Sequence, residues 1–390
     1  MKLSFENTEV AFSHKNNKEL KKAYWLFKLV GKPSLVSVGK VMTKIALAVR
    51  FPMAWMIKPT IFHQFCGGET ISECAQTTKI LDDFNIGTIL DYSVEGKVEE
   101  RDFDATANEI LDTVRTANNN SHIPFCVFKI TGIARFGLLE KMNDSEVLSK
   151  NEEAEKERFL TRLDAICKAS KESQTPVFID AEESWIQEAI DDLAEQMMQK
   201  YNKDDVWVYN TIQLYRKDKL SYLKAQIEHA KTNNYVLGVK LVRGAYMEKE
   251  RDRAQDYNYD SPIQDNKASA DQDFDLALKT CVENINYCHL VAGTHNEASS
   301  LYLTKLIQDH GILSSDKRVY FAQLFGMSDH ISFNLAAAGY NVAKYVPYGP
   351  IKEVLPYLIR RADENTSVKG QTGRELSLIL KEMKRRKGIN

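Results

Sequence analysis

Eight short runs rich in β-branched and aromatic residues, each separated from the next by a longer helical stretch, limit the possible folds more than any other feature of this chain. The runs are Gly87–Ser93, Phe125–Gly132, Thr175–Ala181, Val206–Tyr215, Tyr235–Val242, Cys288–Thr294, Arg318–Phe325 and Val342–Tyr348. Between them the period changes from two to 3.6 residues. After the third run, Trp185, Ile186, Ala189, Ile190, Leu193 and Met197 fall on one helical face; after the fourth, Leu220, Leu223, Ile227 and Ala230 do the same. Strands alternating with helices predict parallel βα units of the α/β class. With eight units, closure into a (βα)8 TIM-like barrel is the economical solution, and an open doubly wound sheet is the competitor.

The remaining segments flank this pattern. The spacing predicts helices over Lys18–Val30 and Leu35–Val49, broken by Gly31, Pro33 and Pro52, and a basic amphipathic helix within Thr372–Asn390. The expected division is therefore an N-terminal helical region at 1–85, a barrel at 86–367 and a helical tail at 368–390. The net charge of −2 exerts no general pull on nucleic acid. It is unevenly spread: Leu20–Gly68 has no acid and eight bases, which leaves −10 on the rest. The six cysteines form no CxxC pair, and no set of side chains has metal-ligand spacing, so reduced thiols and no metal are expected. The N-terminus lacks a signal-peptide pattern, and no apolar run approaches the roughly 18 residues of a spanning helix. These features lead to an expected cytoplasmic location, with peripheral contact at the inner membrane.

In a (βα)8 barrel, chemistry sits at the carboxyl ends of the strands. Polar residues there, in run order, are Lys129; Asp180; Gln213; Lys240 and Arg243, leading to Gly244 and Tyr246; Thr294, His295 and Asn296; Gln323; and Tyr345. Polar groups inside apolar runs are costly unless they are partnered or used. A Lys129–Asp180 pair serving only as scaffold accounts for two of them equally well. In the helix after the last run, Tyr357, Arg360, Arg361 and Glu364 stand at i, i+3, i+4 and i+7 and share a face. Two guanidiniums beside a phenol suit a carboxylate ligand, whereas a plain Arg360–Glu364 surface pair would be worth little. There is no GxGxxG, Walker loop or HExxH. The residues alone indicate a barrel enzyme for a small carboxylate and do not name a cofactor.

Taken in order, FKITG, VFIDAEE, GVKLVRGAY, GTHN, KYVPYG and YLIRRADENTS resemble the proline dehydrogenase family, and LSFENTEVAF and FCGGE look closer to its monofunctional, eukaryotic-type branch. The resemblance implies a distorted (βα)8 barrel holding FAD across the strand ends. It implies that Arg360 and Arg361 bind the proline carboxylate, with Glu364 positioning them, Lys129 reaching the same group and Asp180 beneath that lysine. Tyr246, Tyr345 and Tyr357 would wall the pyrrolidine ring. Gln213, Lys240, Gly244, Thr294, His295, Asn296 and Gln323 would hold FAD, with Lys240 standing where many bacterial members have arginine. The implied reaction is hydride transfer from L-proline to the flavin, giving Δ1-pyrroline-5-carboxylate, with electrons passed to a quinone. Contact with an anionic membrane would run through the basic segment bearing Tyr24, Trp25, Phe27, Phe51 and Trp55; packing of these residues onto the barrel competes with that idea. Hydroxyproline dehydrogenase on the same fold is the near rival, and a Schiff-base barrel using Lys129 or Lys240 is a more distant one.

Overall fold

The computed structural model describes residues 3–32, 57–94, 98–118, 120–367 and 371–388. The expected helix at Leu35–Val49, together with Phe51 and Trp55, lies outside the described residues. All eight expected strands are present: β1 Ile86–Tyr92, β2 Phe125–Lys129, β3 Val177–Asp180, β4 Val208–Gln213, β5 Leu237–Val242, β6 Cys288–Gly293, β7 Val319–Leu324 and β8 Val342–Tyr348. They follow one another in order around a closed barrel, so the open sheet is excluded. Several strands are shorter than their apolar runs. Ile130–Gly132 leaves β2 as a 3-10 turn, and Leu214 and Tyr215 lie beyond β4. Hydrophobicity extends past the ladder because loop residues over a barrel are buried too.

Chain contacts divide the molecule into two compact units, Met1–Glu95 with Gln323–Asn390 and Gly96–Ala322. In the second unit, Phe125, Phe178, Tyr209 and Tyr320 form an aromatic layer towards the amino ends of their strands. Phe125 stacks on Phe178 at 4.6 Å, and Tyr209 and Tyr320 meet Phe125 edge-on at 5.6 and 4.8 Å. Phe178 is fully buried, so truncating it to alanine costs about 3–5 kcal/mol. This layer makes the interior a packed core that closes beneath the strand ends.

In the first unit, helix Asn17–Val30 starts at a capping box formed by Asn16 and Glu19. It buries Leu20, Ala23, Phe27 and Val30. That face joins Phe12, Phe62, Phe65, Val354, Leu358, Leu378 and Ile379 in one apolar cluster. Packing therefore accounts for Phe27, while Trp25 and Leu29 remain half exposed.

Candidate active site

Strand β3 ends on Asp180, whose carboxylate accepts an ion pair from Lys240 of β5. Lys240 is buried, with its ammonium 5.4 Å over the Phe178 ring. The aromatic layer thus supports a charged pair whose acidic member is partly open to solvent. Lys129 stands beside Asp180 in register. Thr211, opposite Lys240 in the β4–β5 register, has a buried hydroxyl with no hydrogen-bond partner among the described residues.

Sequence reasoning passed over Glu182, two residues beyond Asp180. It is buried, and all of its polar groups are held. Gln187 Oε1 accepts its N–H at 2.7 Å, and its carbonyl accepts the Gln213 amide at 2.8 Å. Its carboxylate accepts the Thr131 N–H at 3.0 Å and the Thr131 hydroxyl at 2.5 Å. Burial weakens it as an acid and pushes its pKa up to about 7, against the opposing pull of the Lys129 charge and the Thr131 bonds. Gln187 continues inward to Asp191, which pairs with the buried Lys219 at 2.6 Å. The only available signal was the i, i+2 spacing of Asp180 and Glu182, which puts both on one face of an extended chain.

The other expected residues of this unit sit on the loops after β5 and β6. Gly244 has φ +138, and a Cβ there would collide with the Tyr215 ring, so glycine is required. Tyr246 is the half-buried residue before helix Met247–Asp256. That helix is anchored through the buried Glu250, which accepts the Ser184 N–H and hydroxyl, both at 2.6 Å. Arg243 is bound rather than solvated. It donates to Asp271 at 2.6 Å, Thr294 at 2.8 Å and Ser299 at 2.9 Å, and lies 4.3 Å over Phe274. Thr294 in turn accepts the Asn296 N–H, and Asn296 caps helix Glu297–Asp309 through Ser299. His295 lies half-buried between them.

In the first unit, Gln323 is buried and its side-chain carbonyl accepts the Ser332 hydroxyl at 2.7 Å. Tyr345 of β8 is buried, and its carbonyl accepts the Phe325 N–H at 2.7 Å. Helix Ile351–Ser367 carries Tyr357 and Arg361, both buried, with the guanidinium 5.2 Å over the phenol ring. The i, i+4 spacing thus produces a real cation–π contact. Arg360 is half-buried. Glu364 belongs to this helix, but its side chain lies outside those described.

A flavin fits these residues. The unpartnered Thr211 hydroxyl opposite Lys240 provides a polar contact point above an apolar floor. The helix beginning at Glu297 directs N–H groups towards the loop holding His295 and Asn296, which suits a diphosphate.

Comparison with known proteins agrees with this architecture. The family model described as proline dehydrogenase matches residues 74–374. Proline dehydrogenase 1, mitochondrial, of Dictyostelium discoideum is 35% identical over 384 residues, covering 87% of this chain and 67% of that protein. Hydroxyproline dehydrogenase of Xenopus laevis is 30% identical over 421 residues, covering 98% and 90%. A solved proline utilization A from Bdellovibrio bacteriovorus shares the fold with a TM-score of 0.74 at 19% identity, over 95% of this chain and 40% of that one. This chain thus spans well under half of the solved protein. The expected cytoplasmic location is corrected by these findings. The Dictyostelium relative and matching proteins from Arabidopsis thaliana and Homo sapiens are named mitochondrial. Scattered, unpaired cysteines do not separate one reducing compartment from another, which is why composition misled. Among the described residues no helix is long and apolar enough to cross a membrane. With the family model matching more than three quarters of its length, the chain belongs to the proline dehydrogenase family of oxidoreductases.

Proposed function

We propose that this protein is an FAD-dependent dehydrogenase that oxidises L-proline to Δ1-pyrroline-5-carboxylate and delivers the electrons to a quinone, with residues 86–367 as its catalytic barrel. The observation that carries the reading is the buried Arg361 stacked on Tyr357, with Arg360 beside it. A guanidinium held in one orientation by an aromatic ring suits a small carboxylate approaching along its fork.

FAD, when bound, would supply the hydride acceptor for the ring carbon next to nitrogen. Gln213, Lys240, Gly244, Thr294, His295, Asn296 and Gln323 would hold it. Arg360 and Arg361 would fix the substrate carboxylate, with Glu364 steadying them and Lys129 adding charge. Fixing one end of a small molecule orients its reacting carbon, which is where most of the rate gain arises. Tyr246, Tyr345 and Tyr357 would exclude water from the ring. Lys240, held by Asp180, would place positive charge where negative charge develops. The same ion pair weighs against a Schiff-base enzyme, because an ammonium engaged by a carboxylate is a poor nucleophile.

The Xenopus relative keeps hydroxyproline in view as a substrate. Tyr345 favours proline, since a phenol at that position crowds the carbon that would bear the hydroxyl. A peripheral membrane contact would use helix Asn17–Val30, where Lys28 lies 4.8 Å over the half-exposed Trp25 and Leu29 extends the ridge.

The test is the visible spectrum before and after anaerobic addition of L-proline. A yellow protein that bleaches supports the proposal. One that stays yellow moves the substrate to another imino acid, and a colourless protein that FAD cannot reconstitute ends the flavin reading.

A further inference from the structure

Both ends of the chain converge on one loop. Residues Phe325–Ser328 join β7 to helix Asp329–Ala337, and β8, the C-terminal helix and two N-terminal segments hold this turn and the start of that helix. From β8, the fully buried Lys344 donates to the Met327 carbonyl at 2.5 Å and the Leu324 carbonyl at 3.4 Å, and pairs with Asp329 at 3.0 Å. From the C-terminal helix Gln371–Arg386, the buried Glu375 accepts the Ser328 N–H, with His330 3.9 Å away. From the N-terminal side, Lys15 and His14 reach the second oxygen of Asp329 at 2.5 and 3.3 Å, and the Gln64 amide donates to the Gly326 carbonyl at 2.8 Å. Gly326 has φ +76, and a Cβ there would run into the Gln64 carbonyl.

This loop is rigidly joined to two residues of the proposed site. Phe325 N–H donates to the Tyr345 carbonyl, and Ser332, whose hydroxyl also donates to the Ser328 carbonyl, donates to Gln323. A connection between a strand and a helix does not require buried lysines and acids. Removing such charges from water is costly, and apolar packing of equal volume would hold a mere connector at least as well. The arrangement makes sense where the loop's position matters.

We propose that Glu375, through Ser328, and Lys344, through the Leu324 and Met327 carbonyls, are positioning residues. They set where Gln323 and Tyr345 stand, so that the C-terminal helix tunes selection of the substrate ring without touching it. The proposal rests on the reading of the site given above.

The test compares Glu375→Ala and Glu375→Gln with Ser377→Ala, an exposed change on the same helix. Hydrogen exchange is followed in peptides covering 319–328 and 342–348, together with KM and kcat for L-proline and trans-4-hydroxy-L-proline. Glu375→Ala should speed exchange in both peptides. It should also lower kcat/KM for proline about tenfold, within the range expected of a sub-ångström misplacement, and narrow the preference for proline over hydroxyproline. Glu375→Gln, which keeps an acceptor for Ser328, should recover most of both effects, and Ser377→Ala should change neither. Faster exchange at 319–328 alone, with the substrate ratio unchanged, would overturn the proposal and leave Glu375 a stabilising cap. Unchanged exchange in both peptides would overturn it as well. If the unmodified protein neither bleaches with proline nor oxidises hydroxyproline, the underlying reading fails, while the exchange result still decides whether Glu375 positions the strand ends.

Discussion

Lys240 and Lys344 occupy nearly identical contexts in sequence, GVKLV and VAKYV, and both are buried lysines on barrel strands paired with an aspartate. They do opposite work. Lys240 pairs with Asp180, which is about one fifth exposed, and lies above an aromatic layer and across from the Thr211 hydroxyl. Lys344 is saturated by two carbonyls and a carboxylate that it shares with Lys15 and His14. A buried pair whose carboxylate borders solvent lies where a ligand can approach it. A buried charge with every donor committed holds structure.

The largest expected effect separates the two on stability. Lys344→Met should destabilise the fold by about 3–5 kcal/mol in urea unfolding, because it leaves two buried loop carbonyls without their donor and takes one cation from the buried Asp329. Lys240→Met should lose less than half as much; equal losses would break the comparison. The order reverses on activity. Lys240→Met should cut kcat about 10²-fold while flavin absorbance is retained, as for loss of one preorganised charge at a reacting centre.

A smaller effect is expected at Arg361. Replacing it with lysine keeps the charge but loses the fork, and should raise KM for proline about tenfold with kcat little changed. Steady-state kinetics decide this, and an unchanged KM would move the carboxylate elsewhere.

The smallest effects concern pH, where His14 of the first unit and Glu182 of the second respond in opposite senses. His14 is stacked on Phe333 at 3.9 Å. Burial first, and then Lys15, pushes it down to about 4, while Asp329 opposes and Lys344 adds to the push. Below pH 6.5 the unfolded chain takes a proton that the folded chain refuses. Stability present above 6.5 is therefore lost as pH falls towards 4, by up to about 3 kcal/mol. Glu182 behaves in reverse. It keeps its proton up to about 7 when folded, so its contribution is complete below 4.5 and disappears as pH rises through 7. His14→Gln should flatten the acid slope of Tm against pH, and Glu182→Gln the slope near neutrality. A swap of those assignments would show that other groups control each limb.

The legible part of the protein is the part governed by local periodicity. Alternating runs located all eight strands, and the i, i+4 spacing put Tyr357 and Arg361 on one helical face, where the structure brings them together. Strand limits were harder to read, because Leu214 and Tyr215 are as apolar as β4 but leave the ladder. Partnerships were harder still. Asp180 has Lys129 beside it in register, and its ion pair with Lys240, two strands away, has no signature along the chain. Glu182 went unread because nothing local separates a carboxylate that is held on every side from one in water. Lys344 was passed over for its neighbour Tyr345, although alternation sends adjacent strand residues to opposite faces.

By itself, then, the sequence determined the number and order of the βα units, the helical nature of both ends and the family. Each follows from spacing along the chain or from motifs read in order. Only the tertiary structure decided which buried lysine pairs with a carboxylate that borders solvent and which one is enclosed beneath the joined termini. Which groups surround a buried charge depends on partners brought in from far along the chain, as Lys15 is to Asp329, 314 positions away.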